Sequence, residues 1–355
     1  MDGNNAITKV LEKSYGDLIQ SGEAYIFNLT EENRSLDKYA GMNVLGDYCY
    51  ISKGMVLNSD EKKAKSEFKK EDLISETEDT IHCRKFLEGK DCGKYTASRI
   101  RYLEYDTARV PDKCSRPTFR ELYTTPKLMF NRLGDLQVFF DEKGDFTTSD
   151  AMFVCLLWKD LHGVENNSIA SSIKKFSTRT RAEMETLSAA VDLRYLLAIM
   201  NSRYASVLLA NIRGDDFNTY PEYVRSVPIP PTTPEQQKPL IDLADKMLAL
   251  NADAQKKVSR FVGRMQETYK LGKVTQNIES FYKLPFADFV KELEKQKVKL
   301  TMRQKDELED YFDERAQEIA ALRKQIAATD ARIDALVYAL YGLSEKEIAL
   351  VEKSQ

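Results

Sequence analysis

Two histidines, one tryptophan and five cysteines in 355 residues leave little material for several kinds of chemistry. Neither histidine stands near a serine or cysteine in a setting that triad hydrolysis needs, and His162 in "KDLHGVE" reads as a turn residue. The cysteines (Cys49, Cys83, Cys92, Cys114, Cys155) are odd in number, spread out and without a C-x-x-C pair. They read as reduced thiols, which excludes a disulfide framework and a zinc knuckle. His82 and Cys83 with the later Cys92 and Cys114 fit no recurring metal spacing. No run approaches the roughly 18 apolar residues of a membrane span, and "MDGNNAITKVLEKSYGDLIQ" lacks a basic segment followed by an apolar stretch. A cytoplasmic protein is expected. Excess positive charge is absent too: the formal net charge is −3, so any nucleic-acid surface must be a local patch.

Catalytic motifs are missing as well. The single Pro-Pro follows Ile229, where an amino-methyltransferase acting on DNA needs Asn or Asp to hold the exocyclic amine, and no G-x-G follows an apolar strand. "GKDCGKYT" lacks the spacing of a phosphate loop. "VPDK" offers Asp112 without the Glu-x-Lys strand of a metal-dependent nuclease. A non-catalytic chain without cofactor is expected.

What is present falls into two territories. From Gly41 onward, short β-rich runs ("DYCYI", "KLMFNRL", "LQVFFD", "AMFVCLLW") alternate with turn signals at "SKG", "DEKGD" and "HGVENN", and "DLRYLLAIMNSRYASVLLANI" carries apolar residues at helical spacing. After Gln236, glycine thins out. Leu240, Leu243, Met247, Leu250, Ala254, Val258, Phe261 and Met265 form one helical stripe. Ile319, Leu322, Ile326, Thr329, Ile333, Leu336 and Leu340 form a second, heptad-type seam. The expected fold is an α/β (α+β) domain over 41–232 followed by an all-α, coiled-coil-like antiparallel helical hairpin over 233–355, with 1–40 as a lead-in. Gly342 is placed to end the second arm, and Ser344 with Glu347 to cap a last short helix.

The joint between them is "VPIPPTTPEQQ". Thr233 suits a helix cap, Pro234 the first helical position and Gln236 the reciprocal capping position. The same prolines match a loose polyproline ligand pattern, with no basic residue close behind.

Twelve Lys/Arg against six Asp/Glu lie between Arg84 and Arg132. They include Arg84, Lys85, Lys90, Lys94, Arg99, Arg101, Arg116, Lys127 and Arg132, with Tyr95, Tyr102 and Tyr105 interleaved. A second cluster, "SSIKKFSTRTRAE", adds Lys174, Lys175, Arg179 and Arg181 among hydroxyl side chains, and Lys53 precedes both. Such groups contact phosphate oxygens and give salt-sensitive affinity without sequence choice. The bland reading of each cluster is a solvated face.

In order, the landmarks resemble the TaqI-like C-terminal specificity region of type IIG restriction-modification enzymes, which is similar in plan to type I specificity subunits. The resemblance rests on "LGDYCYISKGMVLNSDE" with Gly54 and Asn58, on "CRKFLEGKDCGKYTASRIRYLEYD", and on the strands around Pro126, Lys127 and Arg132. "YLLAIMNSRYASVLLANI" with "VRSVPIPPTTPEQQ", and the tail "IDALVYALYGLSEKEIALVEKS", complete it. It implies a double-stranded DNA recognition module that positions a DNA methyltransferase or restriction partner. S-adenosylmethionine and Mg are then expected only on that partner or on upstream domains. In type IIG enzymes this region follows a methyltransferase domain, for which residues 1–40 are too few, so a separate subunit or a fragment of a larger chain is expected. The rival readings are a half-sized type I specificity subunit that homodimerises through its helices, a coiled-coil protein-interaction scaffold, and a cryptic nuclease.

Overall fold

The computed structural model describes residues 38–57, 67–115, 119–214, 216 and 218–353. Most of the expected lead-in, together with Asn58 and Arg116, lies outside them.

The run "MFVCLL" is apolar without alternation, a pattern that suits a strand covered on both faces. It becomes the inner strand of a four-stranded antiparallel sheet ordered β1 (Cys49–Lys53), β10 (Met152–Leu157), β7 (Lys127–Asn131), β8 (Val138–Asp141). A second sheet runs β2 (Ile74–Ser75), β6 (Arg101–Glu104), β3 (His82–Leu87), β9 (Phe146–Thr148), and its β3–β9 pair is parallel. A small hairpin joins β4 (Cys92–Gly93) to β5 (Thr96–Ala97). All six residues of β10 are buried. Val154 and Leu156 share a core with Phe86 and Leu103 of the second sheet, whereas Phe153, Cys155 and Leu157 share one with the helices.

Those helices are α1 (Leu45–Tyr48), α2 (Asn167–Phe176), α3 (Arg181–Ala189), α4 (Leu193–Asn201), α5 (Arg203–Arg213) and α6 (Pro221–Arg225). The continuous periodicity over residues 192–212 is divided between α4 and α5. Ser202 adopts extended backbone and its hydroxyl accepts from Ala205 N–H at 3.1 Å, so one serine ends the first helix and caps the second.

The proline stretch is a structural seam. Leu45 N–H donates to the Val227 carbonyl (2.8 Å), and Ile229 N–H to the Asn43 carbonyl (2.8 Å). The buried hydroxyls of Tyr341 and Tyr195 donate to the carbonyls of Pro228 (2.7 Å) and Pro230 (3.2 Å). Pro228 and Pro230 are buried and Pro234 is the first residue of a long helix rather than part of an extended polyproline segment, which removes the polyproline-ligand reading.

Beyond the seam the chain is helical: α7 (Pro234–Tyr269), α8 (Phe286–Lys295), α9 (Met302–Leu340) and α10 (Glu345–Lys353). Thr233 and Gln236 form the expected capping box at the start of α7. Leu240, Leu243, Ala244 and Met247 of α7 lie in the core of the sheet domain with Ile333 and Val337 of α9. Val258, Phe261 and Met265 lie in a separate core with Leu308, Phe312 and Ile319.

The heptad seam does not run to the end of α9. Ile319, Thr329 and Ile333 are buried, but Leu336 is 39% exposed and burial passes to Val337 and Tyr338. The last turns of α9 meet α5 and α10, so the covered face rotates: Arg203 of α5 lies 3.3 Å from Asp334, and Tyr338 donates to Glu352 of α10 at 2.8 Å. Gly342 takes a left-handed backbone (φ +61°) as Leu343 N–H reaches back to the Tyr338 carbonyl, and Ser344 and Glu347 cap α10. Among the described residues no helix is long and apolar enough to cross a membrane.

Candidate nucleic-acid interface

Folding neutralises much of the basic stretch. Lys85 lies 3.3 Å from Asp145, Lys90 2.8 Å from Glu88, and Arg99 2.7 Å from Glu76. In the second cluster Arg179 lies 3.5 Å from Asp47 and donates to Asn43, while Arg181 pairs with Glu185 at 2.8 Å and donates to the Leu161 and Val164 carbonyls. Exposed pairs of this kind are worth little to stability, about 0–1 kcal/mol each, but each lowers the local positive potential.

Three candidates are removed from any surface role by burial. Lys127 is fully buried against Asp141, its cross-strand partner on β8, and burial pushes its ammonium pKa down against the pull of that carboxylate. Arg101 is buried among Asp91, Glu88 and Glu76. Tyr95 is 3% exposed, at the turn between β4 and β5. A side chain enclosed by its own domain cannot reach a phosphate, so these three are structural. Arg116 lies outside the described residues.

Six candidates keep a cation without a carboxylate partner among the described residues: Lys53, Arg84, Lys94 and Arg132, which are partly exposed, and the exposed Lys174 and Lys175 of α2. Arg84 rests over the Tyr105 ring at 5.3 Å, opposite β6. Lys53 and Arg132 come together from distant places in the sequence. Lys53 ends β1 and Arg132 follows β7, and both strands flank the start of β10, with Lys53 opposite Phe153 and Asn131 opposite Met152. Each places its charge 5.7 Å from the centre of the Tyr220 ring. Cation–π contact at a partly exposed site contributes about 0.5–1 kcal/mol and leaves the charge free to attract an anion.

Local backbone chemistry fixes this platform. After Lys53 the chain passes so close to β9 that a Cβ on Gly54 would lie 2.5 Å from the Thr148 carbonyl oxygen, so only glycine fits. Asn131 braces the loop carrying Arg132: its amide donates to the Leu133 (2.6 Å) and Asp135 (2.7 Å) carbonyls and its oxygen accepts from Gln137 N–H (2.8 Å). Thr219 N–H donates to the Arg132 carbonyl at 3.3 Å, which sets Tyr220 beside it. The sequence gives no signal for Tyr220, a lone tyrosine before Pro221.

Beside the platform a cleft of about 980 Å³ opens between the sheet domain and the long helices, lined by Lys94, Arg203, Arg213, Arg323, Asp135 and Asp330 among others. Arg203 is engaged by Asp334 and Glu352, whereas Lys94, Arg213 and Arg323 have no ion pair among the described residues, Arg323 donating only to the Tyr282 hydroxyl. Of the cations that stay free, Lys53, Arg132, Lys94, Arg213 and Arg323 sit around one end of the first sheet and the adjoining cleft, with Arg84 on β3 and the α2 lysines separate from them.

Residues 233–337 match the model of a family described as a domain of unknown function, DUF8810. No curated protein matches the chain.

Proposed function

We propose that the chain is a double-stranded DNA recognition module of a restriction-modification system, non-catalytic in itself, that positions a methyltransferase or endonuclease partner. The observation that carries the reading is the pairing of Lys53 and Arg132 on Tyr220, two unneutralised cations on a braced sheet end, in a domain whose other cations are largely spent on internal acids. Lysine and arginine in that state neutralise phosphates and release counterions.

In this reading the platform and Lys94 hold the duplex backbone, Lys174 and Lys175 extend the contact, and polar side chains beside them select bases at about 1–3 kcal/mol for each good bidentate pair. The partner supplies S-adenosylmethionine and Mg chemistry and takes its target base out of the stack. The long helices act as an antiparallel hairpin that holds and spaces that partner. The order of sequence landmarks, from the strand before Gly54 to the α10 tail, supports the same assignment.

Duplex affinity measured across a salt series tests it. The expected result is a log–log slope that becomes shallower by about 2 in Lys53→Ala/Arg132→Ala. Affinity that is flat with salt, or unchanged in the double variant, would overturn the reading in favour of a protein-interaction scaffold.

A further inference from the structure

We propose that the end of the long helices remote from the sheets is a second DNA-backbone contact, built from Lys270, Lys273, Lys297 and Lys299. This rests on the DNA reading above but on a separate set of residues, none of which stands out as a motif.

Residues 270–305 hold nine Lys/Arg and four Asp/Glu in a chain of net charge −3, so the remainder of the chain carries −8. Within that stretch, partners divide eight of the nine cations into two groups, the ninth, Lys283, being exposed over the Tyr282 ring at 6.0 Å. Lys291, Lys295, Arg303 and Lys305 lie beside Asp288, Glu292, Glu307 and Glu294. Lys270, Lys273, Lys297 and Lys299 are exposed and have no carboxylate partner among the described residues.

These four come from two loops, one after α7 and one before α9, that the fold joins. Lys273 N–H donates to the Gln296 side-chain oxygen at 3.3 Å. Leu271 and Val274 of one loop and Val298 and Leu300 of the other pack on the same apolar cluster. Its base is aromatic, with Phe261 and Phe281 stacked at 3.7 Å and Phe312 edge-on to Phe281 at 5.5 Å. Lys270 and Lys297 both hold left-handed backbone (φ +50° and +67°), a conformation uncommon for residues other than glycine, where each ends its helical segment. The lysines therefore stand on a packed base.

Lysine is depleted in protein–protein interfaces and enriched at phosphates, so an unneutralised lysine surface fits a polyanionic backbone better than a protein face. The cleft beside the Tyr220 platform is lined by Asn251 of α7, and at 1.5 Å per residue the helix from there to Lys270 extends about 28 Å, so this surface and the platform would touch points on a duplex about one turn apart, beyond the reach of a short duplex centred on the platform.

The test compares duplexes of about 10 and about 40 base pairs over a salt series, using the full chain and a variant with Lys→Gln at all four positions. Wild type is expected to bind the long duplex with a slope steeper by about 3. The Gln variant is expected to fall to the short-duplex slope while leaving short-duplex affinity unchanged, and Lys→Arg at all four positions is expected to keep the steep slope. Equal slopes for wild type and the Gln variant overturn the proposal. Lysine-dependent binding of polyglutamate without duplex binding overturns DNA as the occupant. Wild type that binds only the long duplex, through these lysines, overturns the Tyr220 platform and supports this contact; wild type that binds neither overturns both.

Discussion

Arg203 and Asp334 tie the sheet domain to the last turns of the longest helix through two contacts of one side chain. The Arg203 backbone N–H donates to Asp334 Oδ1 at 2.9 Å and its Nε lies 3.3 Å from Oδ2, while its guanidinium also reaches Glu352. Burial is the main force on the Asp334 carboxyl and raises its pKa to about 6; the Arg203 N–H opposes this, Asp330 adds to it, and Lys94 and the Arg203 charge pull back. A carboxyl whose folded pKa lies above its unfolded value binds its proton more tightly in the folded state. Its contribution to stability is full below about pH 4 and is lost as pH rises through about 6. The melting temperature of wild type minus that of Asp334→Asn is therefore expected to fall between pH 4 and 7 and to level off above. A difference that does not change with pH would show that Asp334 titrates normally.

Lys127→Ala should destabilise the domain and not merely weaken a ligand contact. It leaves Asp141 buried at 2% exposure, holding only the N–H groups of Asp145 and Phe146. Breaking a buried pair in this way costs about 3–5 kcal/mol. Urea denaturation followed by the fluorescence of Trp158, the sole tryptophan and 2% exposed, reads this directly, and adding Asp141→Asn should recover part of the loss.

Gly54→Ala should lower stability and duplex affinity together, because the added methyl meets the Thr148 carbonyl and shifts the residue that follows Lys53. Gly134→Ala in the nearby exposed loop meets no atom within 4 Å but forces a left-handed alanine (φ +78°), so its effect should be smaller, about 1 kcal/mol. Thermal melts of the two variants side by side check the order.

Gln237 is 1% exposed and spans the joint: its amide donates to the Ala190 carbonyl at 2.8 Å and its oxygen accepts from Asp192 N–H at 3.2 Å. Gln237→Leu strands both backbone groups, at about 1–3 kcal/mol for each. Thr233→Ala at the exposed cap should cost about 1 kcal/mol by comparison. Melting temperatures that rank these two the other way would contradict the tether.

What could be read from the chain was local. Thr233, Pro234 and Gln236 start a helix within four residues, and the unbroken apolar run of β10 specifies a strand covered on both faces; neither needs knowledge of distant residues. The fate of the basic stretch was not local. Arg99 meets Glu76 and Lys85 meets Asp145, 23 and 60 residues away, and Lys127 turns inward because its strand has no solvent face. Charge counted along a segment says nothing of which acids fold against it. The heptad seam failed past Ile333 for a related reason, since α5 and α10 cover a different side of α9 there. Tyr220 had no local signature; two cations from two strands make it conspicuous only in three dimensions.

The grip of Tyr341 on the Pro228 carbonyl bears on what counts as a portable piece of this protein. The family match stops at residue 337, four residues short of that tyrosine, and its two ends carry Leu240 to Met247 and Ile333 to Val337, whose cover is the sheet domain. A chain cut to the matched region would leave those side chains in water while the aromatic cluster at the other end stayed closed. Any protein that uses the matched helices alone must bring another apolar surface of its own to that end.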